Sequence, residues 1–163
     1  MDDGQANSPR NALGRLAGTW EGTNGFRLMP ADELHRAPAT ATVTTAAGGH
    51  DIVVTYTWVH PQDGPQDGVL LVGSPDEHGQ VTAAWGDSWH QQPAIRTLAG
   101  TVAGGRLEVS ADYGGGWLWT IAVEGDNPFA VTMYNVVPEE YATDENAAGP
   151  YPAMVTELRR VEV

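Results

Sequence analysis

The run Val81-Thr82-Ala83-Ala84-Trp85-Gly86-Asp87-Ser88-Trp89-His90 holds the residues best suited to chemistry. At the two-residue period of a strand, Val81, Ala83, Trp85, Asp87 and Trp89 share one face, while Thr82, Ala84, Gly86, Ser88 and His90 share the other. The first face is apolar except at Asp87. A carboxylate between two indoles has two uses. Its apolar surroundings can raise its pKa so that it serves as a general acid or base, or it can be the buried partner of an inward arginine such as Arg27 or Arg96. His90 closes the run, and an imidazole at a cavity mouth suits proton transfer, the alternative being an ordinary surface histidine. Ser88 shares its face, yet Gly86-Asp87-Ser88 lacks the strand, tight turn and helix of a nucleophile elbow, so hydrolase chemistry is discounted.

Aromatic residues repeat the same spacing elsewhere, with Tyr56 beside Trp58, Trp117 beside Trp119, and Tyr134 in a further run. Facing inward, they would line a cavity with flat walls for a planar apolar ligand, or simply fill the interior. Asn24, Arg27 and Asn135 are candidates for holding the polar end of such a ligand, with Tyr134 as another anchor. Glu157 reads as an exposed glutamate. The five histidines, at 35, 50, 60, 78 and 90, are scattered singly. No pair has metal-ligand spacing, so no metal site is expected.

Composition removes several chemistries. All eight basic residues are arginine, which excludes a Schiff-base lysine and the lysine of a phosphate-binding loop. Cysteine is absent, which excludes thiol nucleophiles, thiolate metal sites and disulfides. With 21 acidic residues against 8 basic ones the net charge is −13, so nucleic acid and anionic membrane surfaces are poor partners. The first ten residues are polar, and nowhere do about 18 apolar residues run together, so neither a signal peptide nor a membrane span is expected. A cytoplasmic location is the default expectation. Arginine without lysine, with abundant Ala and Gly, suggests a GC-rich bacterial genome.

A hydrophobic fraction of 41% against 18% charged residues is that of a globular chain, and its length fits one domain, residues 8–163 behind a loose tail at 1–7. Ser8-Pro9 reads as an N-cap and first helical position, with Leu13 and Leu16 as the apolar stripe of a short helix. Ten strand-like runs follow, at about 18–28, 39–47, 51–60, 68–73, 80–90, 94–102, 106–113, 116–124, 129–137 and 151–162. Gly48-Gly49, Gly104-Gly105, Gly114-Gly115-Gly116 and Gly125-Asp126-Asn127 separate them as hairpin turns. Two connections are longer: 29–38, and the acidic stretch 138–150, which is a lid or, as preferred here, a solvated excursion. Consecutive hairpins predict an all-β, up-and-down antiparallel barrel, because closure removes exposed edges. Ten strands make it wide enough to hold a cavity.

Gly18-Thr19-Trp20, after a short helix and in the first strand of such a barrel, resembles the Gly-x-Trp signature of the calycins, the lipocalin and fatty-acid-binding superfamily. The resemblance implies that an arginine of the last strand stacks on Trp20, with Arg159 and Arg160 as the candidates, and guanidinium over indole is favourable in itself. The run Leu16-Ala17-Gly18-Thr19-Trp20-Glu21-Gly22, with ten strands, is most similar to the nitrobindin-like branch and its actinobacterial relatives. That branch implies haem held by a histidine near the C-terminal strand, and Tyr151–Glu157 contains none. Met154 could serve as an axial ligand, but methionine in a strand is ordinarily core. No cofactor is therefore expected, and haem is a minority reading. The leading expectation is a barrel that binds a hydrophobic or aromatic small molecule, and a homodimer is left open. The alternative is an enzyme of cyclase or isomerase type, in which Asp87 with His90 or a tyrosine moves protons.

Overall fold

Glycine and proline punctuate the chain so regularly that each apolar run is forced to reverse onto the one before it. The computed structural model describes residues 11–89 and 95–162. In it the strands are β1 (Gly18–Phe26), β2 (His35–Ala46), β3 (Asp51–His60), β4 (Gly64–Val72), β5 (Gln80–Asp87), β6 (Arg96–Ala103), β7 (Arg106–Gly114), β8 (Trp117–Gly125), β9 (Phe129–Val137) and β10 (Gly149–Arg160). Each is antiparallel to its neighbours in sequence, and β1 closes on β10 to give a ten-stranded up-and-down barrel. No helix among the described residues is long and apolar enough to cross a membrane.

Several boundaries differ from the sequence reading for local reasons. The N-terminal helix is a single 3-10 turn, Ala12–Leu16, capped by Asn11, whose side chain accepts from the Leu13 N–H; Ser8 and Pro9 lie outside the described residues. Its apolar residues are three apart, the repeat of a 3-10 turn. Strand β4 starts at Gly64 because Pro65 and Gln66 continue the ladder with β3. Strand β10 starts at Gly149 and carries Pro150 and Pro152, with the register shift between Pro152 and Met154 absorbing their missing donors.

The two ends of the barrel are unlike. At one, the 3-10 turn inserts Leu13 and Leu16, both buried, as a plug. At the other, the mouth, lie the last residues of β1, β3, β5, β7 and β9 and the first of the even strands. The plug end also holds the closure between first and last strands. Trp20, fully buried, meets Phe129 edge-on at 4.5 Å and donates from its indole to the Leu16 carbonyl at 2.8 Å. The Arg160 guanidinium lies 4.4 Å from the Trp20 ring and donates to the carbonyls of Ala17 at 2.7 Å and Arg15 at 3.0 Å. Of the two arginines, only Arg160 is on the inner side. Strand alternation turns Arg159 outward, 69% exposed and 3.9 Å from Glu157, which is itself exposed. The seam is tight: a Cβ on Gly22 would stand 1.9 Å from the Glu157 carbonyl oxygen, so only glycine fits there.

Within the barrel, one enclosed space bounded by Val54, Leu70, Val131, Met133, Met154 and Thr156 among others holds about 20 Å³. That is room on the order of one water molecule. Large buried side chains from all around the wall, among them Trp20, Trp58, Phe129, Ile52, Leu98 and Ile121, take up the width. Arg160→Ala removes the ring contact and two hydrogen bonds from the seam, and urea unfolding should show a loss of about 1–3 kcal/mol. Arg159→Ala should stay within about 0.5 kcal/mol of the parent; equal effects of the two would contradict this account of closure.

Candidate functional site

The mouth is built around Asp87, the last residue of β5. Its side chain points inward by alternation with Val81 and Ala83, both core residues, and it is only 3% exposed. No arginine meets it. The hydroxyl of Tyr56 donates to Oδ2 at 2.6 Å, the indole of Trp58 donates to the same oxygen at 3.1 Å, and the backbone N–H of Trp89 donates to Oδ1 at 2.9 Å. The ion pair with Arg27 or Arg96 offered as one reading of Asp87 is therefore replaced by three neutral donors. The Trp89 bond is local, two residues on, and turns the chain out of the strand. This is why β5 ends at Asp87, before Ser88 and Trp89.

Tyr56 reaches Asp87 by crossing an intervening strand, and a glycine makes this possible. Tyr56 on β3 pairs with Gly68 on β4, which in turn pairs with Asp87 on β5. A Cβ on Gly68 would fall 2.3 Å from both Cζ and Oη of Tyr56, and 2.8 Å from the Gly86 carbonyl oxygen. The absent side chain is the bed for the ring. The Tyr56 hydroxyl also accepts from the Trp85 indole at 2.8 Å, so a relay runs Trp85, Tyr56, Asp87 and Trp58 along one wall.

The electrostatics follow from burial. Desolvation pushes the Asp87 carboxyl up, against the opposing pull of the hydrogen bonds from Tyr56, Trp89 and Trp58, and the net direction is upward. Burial likewise drives the Tyr56 hydroxyl well above its usual range, with the Asp87 charge adding to it. Tyr56 thus stays a neutral donor. Because both oxygens of Asp87 already accept from protein donors, its first role is to brace the wall.

Beyond Asp87 the rings continue. Trp89 stacks on His60 at 4.7 Å, stands edge-on to Phe26 at 5.1 Å and to Trp58 at 5.9 Å, and donates its indole to Asp63 at 2.9 Å. His60 is buried, and its Nδ1 accepts the backbone N–H groups of Gln62 and Asp63, which fixes the β3–β4 turn. Across the mouth, Trp85 stacks on Trp119 with centroids 5.6 Å apart and planes 12° from parallel. Trp117 stacks on Tyr141 at 5.8 Å, which fastens the acidic connection 138–148 to the rim while Glu139, Glu140, Asp144 and Glu145 remain exposed. A polar chain closes this side, the Tyr113 hydroxyl donating to Asn135, Asn135 to the Tyr151 hydroxyl at 3.0 Å, and Tyr151 to the Leu28 carbonyl.

Tyr56, Trp58, Trp85, Asp87 and Trp89 are therefore brought together, with Trp119 joined by its stack and Trp117 at the rim. Others of the expected residues lie apart. Arg27 donates to the carbonyls of Pro152 at 2.9 Å and Pro30 at 3.3 Å, and acts as a clamp outside the mouth. Tyr134 alternates with the inward Met133 and Asn135 and so belongs to the outer face. Asn24 lies deeper, 1% exposed, accepting from Thr156 at 2.8 Å with its Nδ2 unpartnered; the Trp119 indole nitrogen is a second buried donor of that kind. His90 lies outside the described residues. Ser88 is exposed and spends its hydroxyl on Gln66 at 2.7 Å. His60, Tyr113 and Tyr151 were not singled out by sequence; each sits at a strand end, where a period-two pattern has too few repeats to be read.

Among the described residues no three His, Asp or Glu side chains converge as metal ligands. The residues present do not fit haem. Strand β10 carries no histidine, Met154 is 4% exposed inside the core, and the space beside it is about 20 Å³, far too small for a macrocycle. Outside the barrel an open groove of about 590 Å³ runs over β2 to β5, lined mainly by Thr40, Thr42, Thr55, Thr57 and Val69. No family model matches the chain, and no curated protein matches it.

Two outcomes test the brace. Tyr56→Phe and Gly68→Ala each break the bridge from β3 to β5 and should each lower stability by about 1–3 kcal/mol in urea unfolding; a neutral Gly68→Ala would contradict the bed described for the ring. For pH, a carboxyl that titrates higher in the folded than in the unfolded chain binds its proton preferentially when folded. The contribution of Asp87 to stability is thus fullest below about 4, the unfolded value, and declines as pH rises through the raised folded value. The stability difference between the parent and Asp87→Asn, measured across that window, should fall with rising pH. A rise would mean that the three donors outweigh desolvation.

Proposed function

We propose that this chain is a calycin-like barrel that binds a hydrophobic or aromatic small molecule at its mouth. The observation that carries the reading is the state of the inward aromatics there: Tyr56, Trp85 and Trp119 face into the barrel yet are only half-buried, while their orientations are held by hydrogen bonds and a parallel stack. Rings used only as filling would be buried, as Trp20 and Trp58 are. Rings held rigidly at a partly open surface lose little entropy when a flat ligand covers them.

Acid–base catalysis on the same ligand, of cyclase or isomerase type, is the second reading, and one observation favours it. The Asp87 carboxyl, raised by burial, is linked through the Tyr56 hydroxyl to the Trp85 indole at the mouth. Against it, that carboxylate would have to surrender a hydrogen bond to take a substrate proton. Binding is therefore the first reading.

Titration of intrinsic tryptophan fluorescence with neutral aromatic compounds tests it. Saturable quenching or a spectral shift is expected, weakened by about tenfold in Trp119→Leu, given the value of an aromatic contact. An unresponsive spectrum across a broad apolar library would overturn the reading.

A further inference from the structure

Neighbouring strands part towards the mouth, as β2 and β3 do beyond Thr40 opposite Thr57, and an arginine stands beside one such opening, between β6 and β7. The ladder between β6 and β7 runs from Ala103 opposite Arg106 to Ala99 opposite Ser110 and stops there. Towards the mouth, Arg96, Thr97 and Leu98 pair only with β5, and Ala111 to Gly114 only with β8. The two strands thus part company over their last turns at the mouth. Continued in the same register, the ladder would set Arg96 opposite Tyr113.

Arg96 lies on the inner face, two residues before the core residue Leu98 and directly across from Trp85 on β5. It is half-buried, and it makes no hydrogen bond or ion pair with another described residue. The other partly buried arginines among the described residues are occupied: Arg27, Arg106 and Arg160 each bond to carbonyls or carboxylates. Asp87, the buried carboxylate of the same mouth, takes its bonds from Tyr56, Trp58 and Trp89. Burial, with Tyr151 adding to it, holds the Tyr113 hydroxyl above its usual range, and Asn135 and Arg96 act in the opposite sense. A partly desolvated guanidinium whose donors no other described residue accepts is costly to keep unless something anionic uses it.

We propose that Arg96 anchors the anionic group of a planar aromatic ligand, an aromatic carboxylate or sulfonate, which enters beside β6 and lays its ring against the Trp85–Trp119 stack. This rests on the small-molecule reading of the mouth and specifies its ligand class. A fork of N–H donors matches the two oxygens of a carboxylate or sulfonate, and the neighbouring Trp85 supplies the flat contact. The protein carries a net charge of −13, so an anion has no general reason to approach it and only a local cation would draw one.

A matched pair of fluorescent probes separates the two ideas. 8-Anilinonaphthalene-1-sulfonate and N-phenyl-1-naphthylamine share one aromatic body and differ by the sulfonate. The parent protein should bind the sulfonate about ten- to a hundredfold more tightly than the amine, as expected for hydrogen bonds to a charged group, and the preference should shrink as salt is raised. Arg96→Gln should lose that preference with the affinity for N-phenyl-1-naphthylamine unchanged, which also shows that the variant is folded, and Arg96→Lys should keep part of it. Binding of the neutral probe without any preference for the sulfonate, or a preference that survives in Arg96→Gln, would overturn the role of Arg96 and leave the small-molecule reading standing. Failure of both probes to bind would overturn the two together.

Discussion

One buried carboxylate, fed by three neutral donors, organises the mouth of this barrel. Asp87 ties β3 to β5 through Tyr56, holds Trp58 in the core and turns the chain at Trp89. Removing the charge from water is costly, and the cost is offset only while all three donors stay in place. The arrangement is therefore stiff by construction. Tyr56 can sit between Trp85 and Asp87 only because Gly68 has no side chain, so a glycine on one strand decides the orientation of an indole on the next.

The opposite end is held by a different kind of contact. There, Arg160 lies over Trp20 and bonds the carbonyls that precede it, which joins last strand to first and fixes the 3-10 turn against the core. The two ends divide the work. The plug end is closely packed, with Leu13, Leu16 and Trp20 buried, whereas the mouth keeps half-buried rings, a guanidinium that bonds to no other described residue and an open stretch between β6 and β7.

Much of the architecture is legible in the sequence because it rests on patterns that repeat. Alternation over eight or more residues, with glycine pairs between runs, is enough to give ten strands and closure, and it places Trp85 and Asp87 on the inner face. What it does not give depends on single residues. That Asp87 meets a tyrosine and an indole instead of an arginine follows from Gly68 lying between them, and no spacing along one strand reveals a partner two strands away. Tyr134 reads as a wall residue until its neighbours Met133 and Asn135 take the inner positions. Strand number predicts a wide chamber, but not the bulk of Trp20, Trp58 and Phe129 that takes up the width. Arginine at 159 or 160 is a question of phase, settled by the pairing of Trp20 with Arg160 and by the buried Met154 and Leu158 on the same face.

The central claim is that a ligand rests on the rigid rings of the mouth and does not enter the barrel. Its most direct test is the set of indole N–H resonances of protein labelled with ¹⁵N-tryptophan, followed as N-phenyl-1-naphthylamine is added. Trp85 and Trp119 should shift progressively and saturably, while Trp20, packed at the plug end, should not move. Perturbation centred on Trp20, or indole signals that all stay where they began, would contradict it.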